Sequence, residues 1–245
     1  MTTDYYLSYD LVNEEIMFTK NADELISPAS LTKLMTALLI VDSYNLGDFI
    51  EINFPEEYVY EGKVAYLESG QQMTVESLLE FILVYSANDA CIAASMIVSG
   101  GVDEFINLMN NKAVNLGMNN TNFSNPDGLD SDNHFTSLND LLVLSKEVLK
   151  NIELLTIIMK PSFISNIEGS DKVYLNTNKL IEKNYLGLKT GWTNKAGLTF
   201  IGINQSNNRD ILTIVNKSTV NDNKDNHFSD TEILYTVSIL SLIHI

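Results

Sequence analysis

Ser30-Leu31-Thr32-Lys33, Ser86-Ala87-Asn88 and Lys189-Thr190-Gly191 follow one another along a chain of 245 residues. A hydroxyl three residues before an amine, a second hydroxyl beside an amide, and another amine ahead of a glycine are the groups that acyl transfer through a serine requires. Each motif alone is weak, since Ser-x-Asn recurs at Ser131–Asn133 and Ser206–Asn208. The ordered trio is far more specific, because each motif falls where its chemistry needs it.

The surrounding residues supply the elements. Ser27-Pro28-Ala29-Ser30 leads into Leu31, Leu34, Met35, Leu38 and Leu39, an apolar stripe at helical spacing. Proline suits a helix entry, so Ser30 is expected in the first turn of a helix over Ser30–Tyr44, with Lys33 on the same face. First-turn N–H groups lack intrahelical partners and would stabilise an oxyanion forming beside Ser30. Alone, the motif reads more readily as a serine cap with a solvated lysine.

Val75–Tyr85 and Asn88–Val98 read as helices, and the polar Ser86-Ala87-Asn88 elbow between them can aim a hydroxyl and an amide into a cleft. The competing reading is a helix cap at Asn88 or Asp89. Tyr185–Thr193 reads as a strand. Gly191 would clear room for a peptide to pair along its edge, and Lys189 would bring a second cation near Lys33. Like charge and burial would then depress the pKa of Lys33 and leave it able to act as a base. The alternative is a Lys-Thr-Gly turn between strands.

With these motifs the chain resembles the D-alanyl-D-alanine carboxypeptidases, the low-molecular-mass penicillin-binding proteins. The resemblance extends to Lys20–Asp23, Pro28–Thr36, Tyr85–Ala90, Leu116–Phe123, Asn125–Leu129, Asn176–Lys179 and Gly187–Gly197, and so to most of the chain from Asp4 to Tyr235. It implies that Ser30 attacks the carbonyl between two terminal D-alanines while Lys33 takes its proton. Ser86 would relay a proton to the leaving amine, and Asn88 would hold the substrate and Lys33. Lys189 would add positive potential, and Thr190 and Thr193 would bind the terminal carboxylate. The N–H groups of Ser30 and Trp192 would form the oxyanion hole. β-Lactams would acylate the same serine, and the substrate would be the peptidoglycan stem peptide.

One departure stands out. Where the family carries an Arg-Phe pair near the end, this chain has His227-Phe228. An exposed, mostly neutral histidine would clamp a carboxylate more weakly than arginine. A class A β-lactamase would add Glu-x-x-Leu-Asn, but before Leu138-Asn139 the glutamate position is Phe135. No carboxylate is expected in that role, so penicillin should leave Ser30 slowly. His134, His227 and His244 show no metal-ligand spacing, so neither metal nor cofactor is expected. A D,D-endopeptidase uses the same site and stays open, and a penicillin-sensing domain that does not turn over is the reading from another class.

Composition fits one globular domain, with 45% hydrophobic and 19% charged residues. A net charge of −17 argues against nucleic acid or an anionic membrane surface as partner. Cys91 is the single cysteine, read as a packed small residue.

The expected fold is α/β of the α+β type: a five-stranded antiparallel sheet flanked by helices, plus a helical subdomain. The catalytic domain is placed at 4–239, with a sheet part near 4–29 and 172–239 and a helical part near 30–171. Strands are expected at Tyr5–Tyr9, Glu15–Thr19, Lys172–Leu175, Tyr185–Thr193, Gly197–Asn204 and Asp210–Asn216, with helices at Val102–Leu116 and Ser137–Lys150. The Asn119–His134 loop should wall the cleft, Asn221–Asn226 should form a surface loop, and a closing helix should start near Ser229. No signal-peptide pattern precedes the first strand. The family works outside the cytoplasmic membrane, so an export signal, and any membrane attachment, are expected beyond this sequence. Residues 240–245 match a translated sequencing-adapter end and are expected to be a non-native tail.

Overall fold

The computed structural model describes all residues except 168, 184, 207–208, 221–223 and 244–245. In chain order the elements are β1 (Tyr5–Asp10), β2 (Glu15–Lys20), a 3-10 turn at Ala29–Thr32 that runs into α1 (Lys33–Val41), β3 (Phe49–Glu51) and β4 (Gln72–Thr74). Then come α2 (Val75–Glu80), which widens into a π-helical turn at Phe81–Tyr85, α3 (Asn88–Ser99), α4 (Val102–Leu116), α5 (Leu138–Val148) and α6 (Ile152–Ile158). The chain continues with β5 (Ser162–Ser165), β6 (Lys172–Leu175), β7 (Tyr185–Thr193), β8 (Gly197–Ser206), β9 (Arg209–Ser218) and α7 (Asn226–Ile243).

The main sheet has the order β2-β1-β9-β8-β7 and is antiparallel throughout. Strand alternation decides its two faces. Ile201, Ile203, Leu212 and Ile214 join the large core beneath the helices, while Phe200 and Val215 face the other way and pack with Phe228 and Leu234 of α7. Both faces are therefore covered, which is why the central strands read as nearly continuous apolar runs.

The helical part is centred on α1, whose residues Lys33 to Ile40 are all buried. A helix apolar on every side can be stable only inside such a shell. Around it α4 buries one stripe, Phe105, Met109 and Ala113, at four-residue spacing. Thr74 and Ser137 cap their helices by accepting from Ser77 N and Asp140 N. Among the described residues no single helix is long and apolar enough to cross a membrane.

Two local expectations change. Lys172–Leu175, expected with the sheet part, pairs instead with β5 in a separate two-stranded ribbon, and β3–β4 form another. The closing helix begins at Asn226, so His227 and Phe228 lie in its first turn. Residues 221–223 of the expected surface loop and 244–245 of the expected tail fall outside the described residues, while Leu240–Ile243 continue α7.

Candidate active site

The three motifs meet at one cleft of about 710 Å³, in the range of small-molecule and peptide sites. Ser30 stands in the 3-10 turn, with Lys33 one turn on as the first residue of α1. Lys33 Nζ lies 3.0 Å from Ser30 Oγ, 2.7 Å from Asn88 Oδ1 and 2.5 Å from the Asp127 carbonyl oxygen. The last two are acceptors only, because Asn88 Nδ2 is turned away to donate to the Glu61 carbonyl at 3.0 Å. A neutral amine would spend both its hydrogens on them, leaving its lone pair for the Ser30 hydroxyl. That is the arrangement a proton acceptor needs.

Two non-glycine residues in left-handed backbone flank this chemistry: Ala29 (φ 49°) and Ser86 (φ 69°). Such a conformation costs roughly 1–2 kcal/mol and persists only where packing over-determines it. For Ser86 the cause is the wide turn that ends the preceding helix. Ser86 N donates to the Phe81 carbonyl, and Ala87 N reaches the same oxygen at 2.8 Å. The widened turn swings Ser86 to the cleft and lets Asn88 begin α3. The Asp89 carboxylate then braces the elbow by accepting from Ala65 N and Leu67 N.

β7 forms the facing wall through Thr190, Gly191, Trp192 and Thr193. Gly191 has a reason beyond the one expected. A Cβ there would lie 2.8 Å from the Thr199 methyl and 3.0 Å from both Ala29 Cβ and Ser30 N. It lets the strand close against the turn carrying Ser30. Trp192 is 55% exposed at the rim, and Thr193 Oγ1 accepts from Ala196 N. Thr190 Oγ1 donates to Thr177 Oγ1 at 2.7 Å. Lys189 is buried and donates to the Thr190 carbonyl at 3.1 Å. Burial first, then the Lys33 and Lys63 ammonium groups, pull its pKa well below the ordinary lysine value.

His227 is buried, not exposed as expected, and lines the cleft with Nδ1 lacking a hydrogen-bond partner among the described residues. Burial lowers its pKa to about 4, against the opposing pull of Asp225. The 119–134 loop walls the cleft as expected, through Asp127, Gly128, Leu129 and Asp130. Thr36 Oγ1 and Lys33 Nζ hold the loop by donating to the Pro126 and Asp127 carbonyls. The Asp127 carboxyl, its pKa raised by burial, accepts from Leu129 N.

Sequence reasoning gave no role to Glu61, Gly62 and Lys63, nor to Thr177 and Lys179, all of which line the cleft. The usable signals were faint: a glycine between two charges, and the Asn-Thr-Asn-Lys stretch already quoted for the resemblance. Among the described residues no three His, Cys, Asp or Glu side chains gather as metal ligands.

A serine joined to lysine and asparagine, beside an antiparallel sheet with a helical part, is the arrangement that the resemblance to the penicillin-binding class implies. Residues 1–219 match the model of peptidase family S11, D-alanyl-D-alanine carboxypeptidase, and the chain belongs to that family. It is 36% identical over 190 residues, 74% of this chain and 49% of the relative, to D-alanyl-D-alanine carboxypeptidase DacF of Bacillus subtilis. It is 31% identical over 214 residues to DacA of Escherichia coli, covering 80% of this chain and 51% of that one. The chain thus spans about half the length of these curated relatives. Penicillin-binding protein D2 of Listeria monocytogenes in its cefotaxime-bound form superposes with a TM-score of 0.84 at 27% identity, covering 98% of both chains.

Proposed function

We propose that this chain is the catalytic unit, residues 4–239, of a serine D,D-carboxypeptidase. In this reading it removes the terminal D-alanine from peptidoglycan stem pentapeptides and is acylated by β-lactams at Ser30. The observation that carries the proposal is the Lys33 nitrogen, held 3.0 Å from Ser30 Oγ by two further acceptors. Bound β-lactam in the Listeria penicillin-binding protein supports the covalent step.

Ser30 Oγ attacks the penultimate D-alanine carbonyl while Lys33 takes the hydroxyl proton. The backbone N–H groups of Ser30 and Trp192 receive the developing oxyanion. Ser86 passes a proton to the departing amine, and Asn88 keeps Lys33 and the substrate amide in register. Thr190, Thr193 and His227 hold the terminal carboxylate, Gly191 lets β7 stand close, and Lys189 tunes the potential. Water then releases the shortened peptide. The site of action is outside the cytoplasmic membrane, where the polymer lies.

Release of free D-alanine from a stem pentapeptide, lost in Ser30→Ala, tests this reading. A second reading, cleavage of D,D cross-links, is favoured by 29% identity over 233 residues to the D-alanyl-D-alanine endopeptidase of E. coli. Cross-linked dimers cleaved faster than pentapeptide would decide for it.

A further inference from the structure

Lys63 is a further amine in the cleft, on a segment without regular structure whose backbone is nevertheless fixed. The Glu61 and Lys63 carbonyls accept from Asn88 Nδ2 at 3.0 Å and Asn88 N at 2.7 Å. Gly62, at φ +72°, passes so close that a Cβ would lie 2.5 Å from Asn88 Nδ2. The main chain that presents Lys63 is thereby tied to the residue that holds Lys33. Its side chain is not loose either, since Nζ sits 4.1 Å from the centroid of the Tyr85 ring, next to Ser86.

That ring offers a negative face but no strong hydrogen-bond acceptor. Among the described residues no carboxylate lies within ion-pair distance of Lys63, although Glu61 lines the same cleft. Several surface lysines differ. Lys20, Lys112, Lys150, Lys179, Lys183 and Lys195 each hold an acidic partner, in a protein with 32 acidic and 15 basic residues. Among the described residues Lys63 has none, like Lys33 and Lys189 beside it, so the amines around Ser30 are kept from the acids that neutralise those surface lysines.

We propose that Lys63 forms a subsite for a carboxylate carried by the retained, acyl part of the peptide substrate. This rests on the peptidase reading above. There the terminal carboxylate is assigned to the sheet side of the cleft, at Thr190, Thr193 and His227. Lys63 stands on the helical side, with Tyr85, Ser86 and Asn88, and so meets a different part of the peptide. A free carboxylate on the residue preceding the two D-alanines supplies the missing acceptor. Partial desolvation and the Lys33 charge lower the Lys63 pKa to about 8, and an incoming anion offsets both effects.

The test uses two synthetic pentapeptides ending in D-Ala-D-Ala, identical except that the third side chain ends in a carboxylate or its carboxamide. Equilibrium binding is measured by calorimetry on Ser30→Ala, so no turnover is needed. The carboxylate peptide should bind about tenfold tighter than the carboxamide. Adding Lys63→Met should abolish that preference, whereas adding Lys63→Arg should keep most of it. Equal binding of the two peptides, a preference that survives Lys63→Met, or no binding of either overturns the proposal. Failure of the unmodified protein to release D-alanine from either peptide would instead sink the carboxypeptidase reading, and the binding comparison would still decide the role of Lys63.

Discussion

Gly128 faces the carbonyl of Ala29 so closely that a Cβ would stand 2.0 Å from its oxygen and 2.9 Å from Ser30 N. The loop that receives Lys33 is thus packed directly on the turn that presents Ser30. At φ +92° the position is also one that L side chains avoid. Gly128→Ala should displace the Ala29–Ser30 backbone and lower stability by about 1–3 kcal/mol. We expect soluble variant to be acylated by benzylpenicillin at least tenfold more slowly, read by intact mass against time. Acylation at the unaltered rate would show that the turn tolerates the shift.

Deleting single groups at the Lys33 junction separates nucleophile from base. Ser30→Ala should give no penicillin adduct. Lys33→Ala should retain the hydroxyl yet acylate roughly 10²–10⁴-fold more slowly, the usual worth of a positioned base. The unmodified adduct should persist, with no rapid turnover of a chromogenic cephalosporin. Digestion followed by mass spectrometry locates the adduct, and any site other than Ser30 ends the scheme.

His134 predicts an acid sensitivity. Its Nδ1 accepts from Ser124 N at 3.0 Å, which leaves Nε2–H to donate to Thr32 Oγ1 at 2.8 Å. Burial lowers its pKa to about 4, and protonation would break the Ser124 bond. An unfolded histidine titrates near 6.5, so between these values the unfolded chain binds the extra proton. The stabilisation is therefore complete above about pH 6.5 and falls as the pH drops towards 4. The loss by pH 4.5 is about 2.5 kcal/mol. Urea midpoints measured from pH 7.5 to 4.5 should fall less steeply in His134→Gln.

For His227 the same depression makes substrate binding pH-dependent. Asp225, Asp230 and Lys179 are the charged groups that bear on it, and burial outweighs them. A substrate carboxylate would raise the imidazole pKa again, so binding takes up a proton and tightens with acidity. KM for a D-alanine-terminated peptide should fall between pH 7.5 and 5.5, and His227→Arg should lower KM and flatten that dependence. A KM unchanged by His227→Arg would remove His227 from the carboxylate site.

Much of this site was legible in the order of residues, and the gaps have physical causes. The Ser30–Lys33 turn, the Ser86–Asn88 elbow and the Lys189–Gly191 strand announce themselves through local apolar periodicity, which survives without tertiary information. Phe81–Tyr85 carries the same apolar signal whether wound as an α- or a π-helix, so the wide turn that sets Ser86 was hidden. β3 and β4 have three residues each, too few to show a two-residue period. Lys63 reaches the cleft through bonds to Asn88, far along the chain, and no local pattern encodes them. His227 looked exposed because it follows a polar run, yet the first turn of α7 carries it beneath the surface.

The pairing of β1 with β9, Tyr5 opposite Asn216, sets when the sheet beside the cleft can close during synthesis. The opening segment has no neighbour on that side until β9 at Arg209–Ser218 has been made, and closing so long a loop is slow. β7, which must press against the Ser30 turn, is likewise made late. A chain in which β7 has not yet formed therefore carries the Ser30 hydroxyl without the wall that faces it.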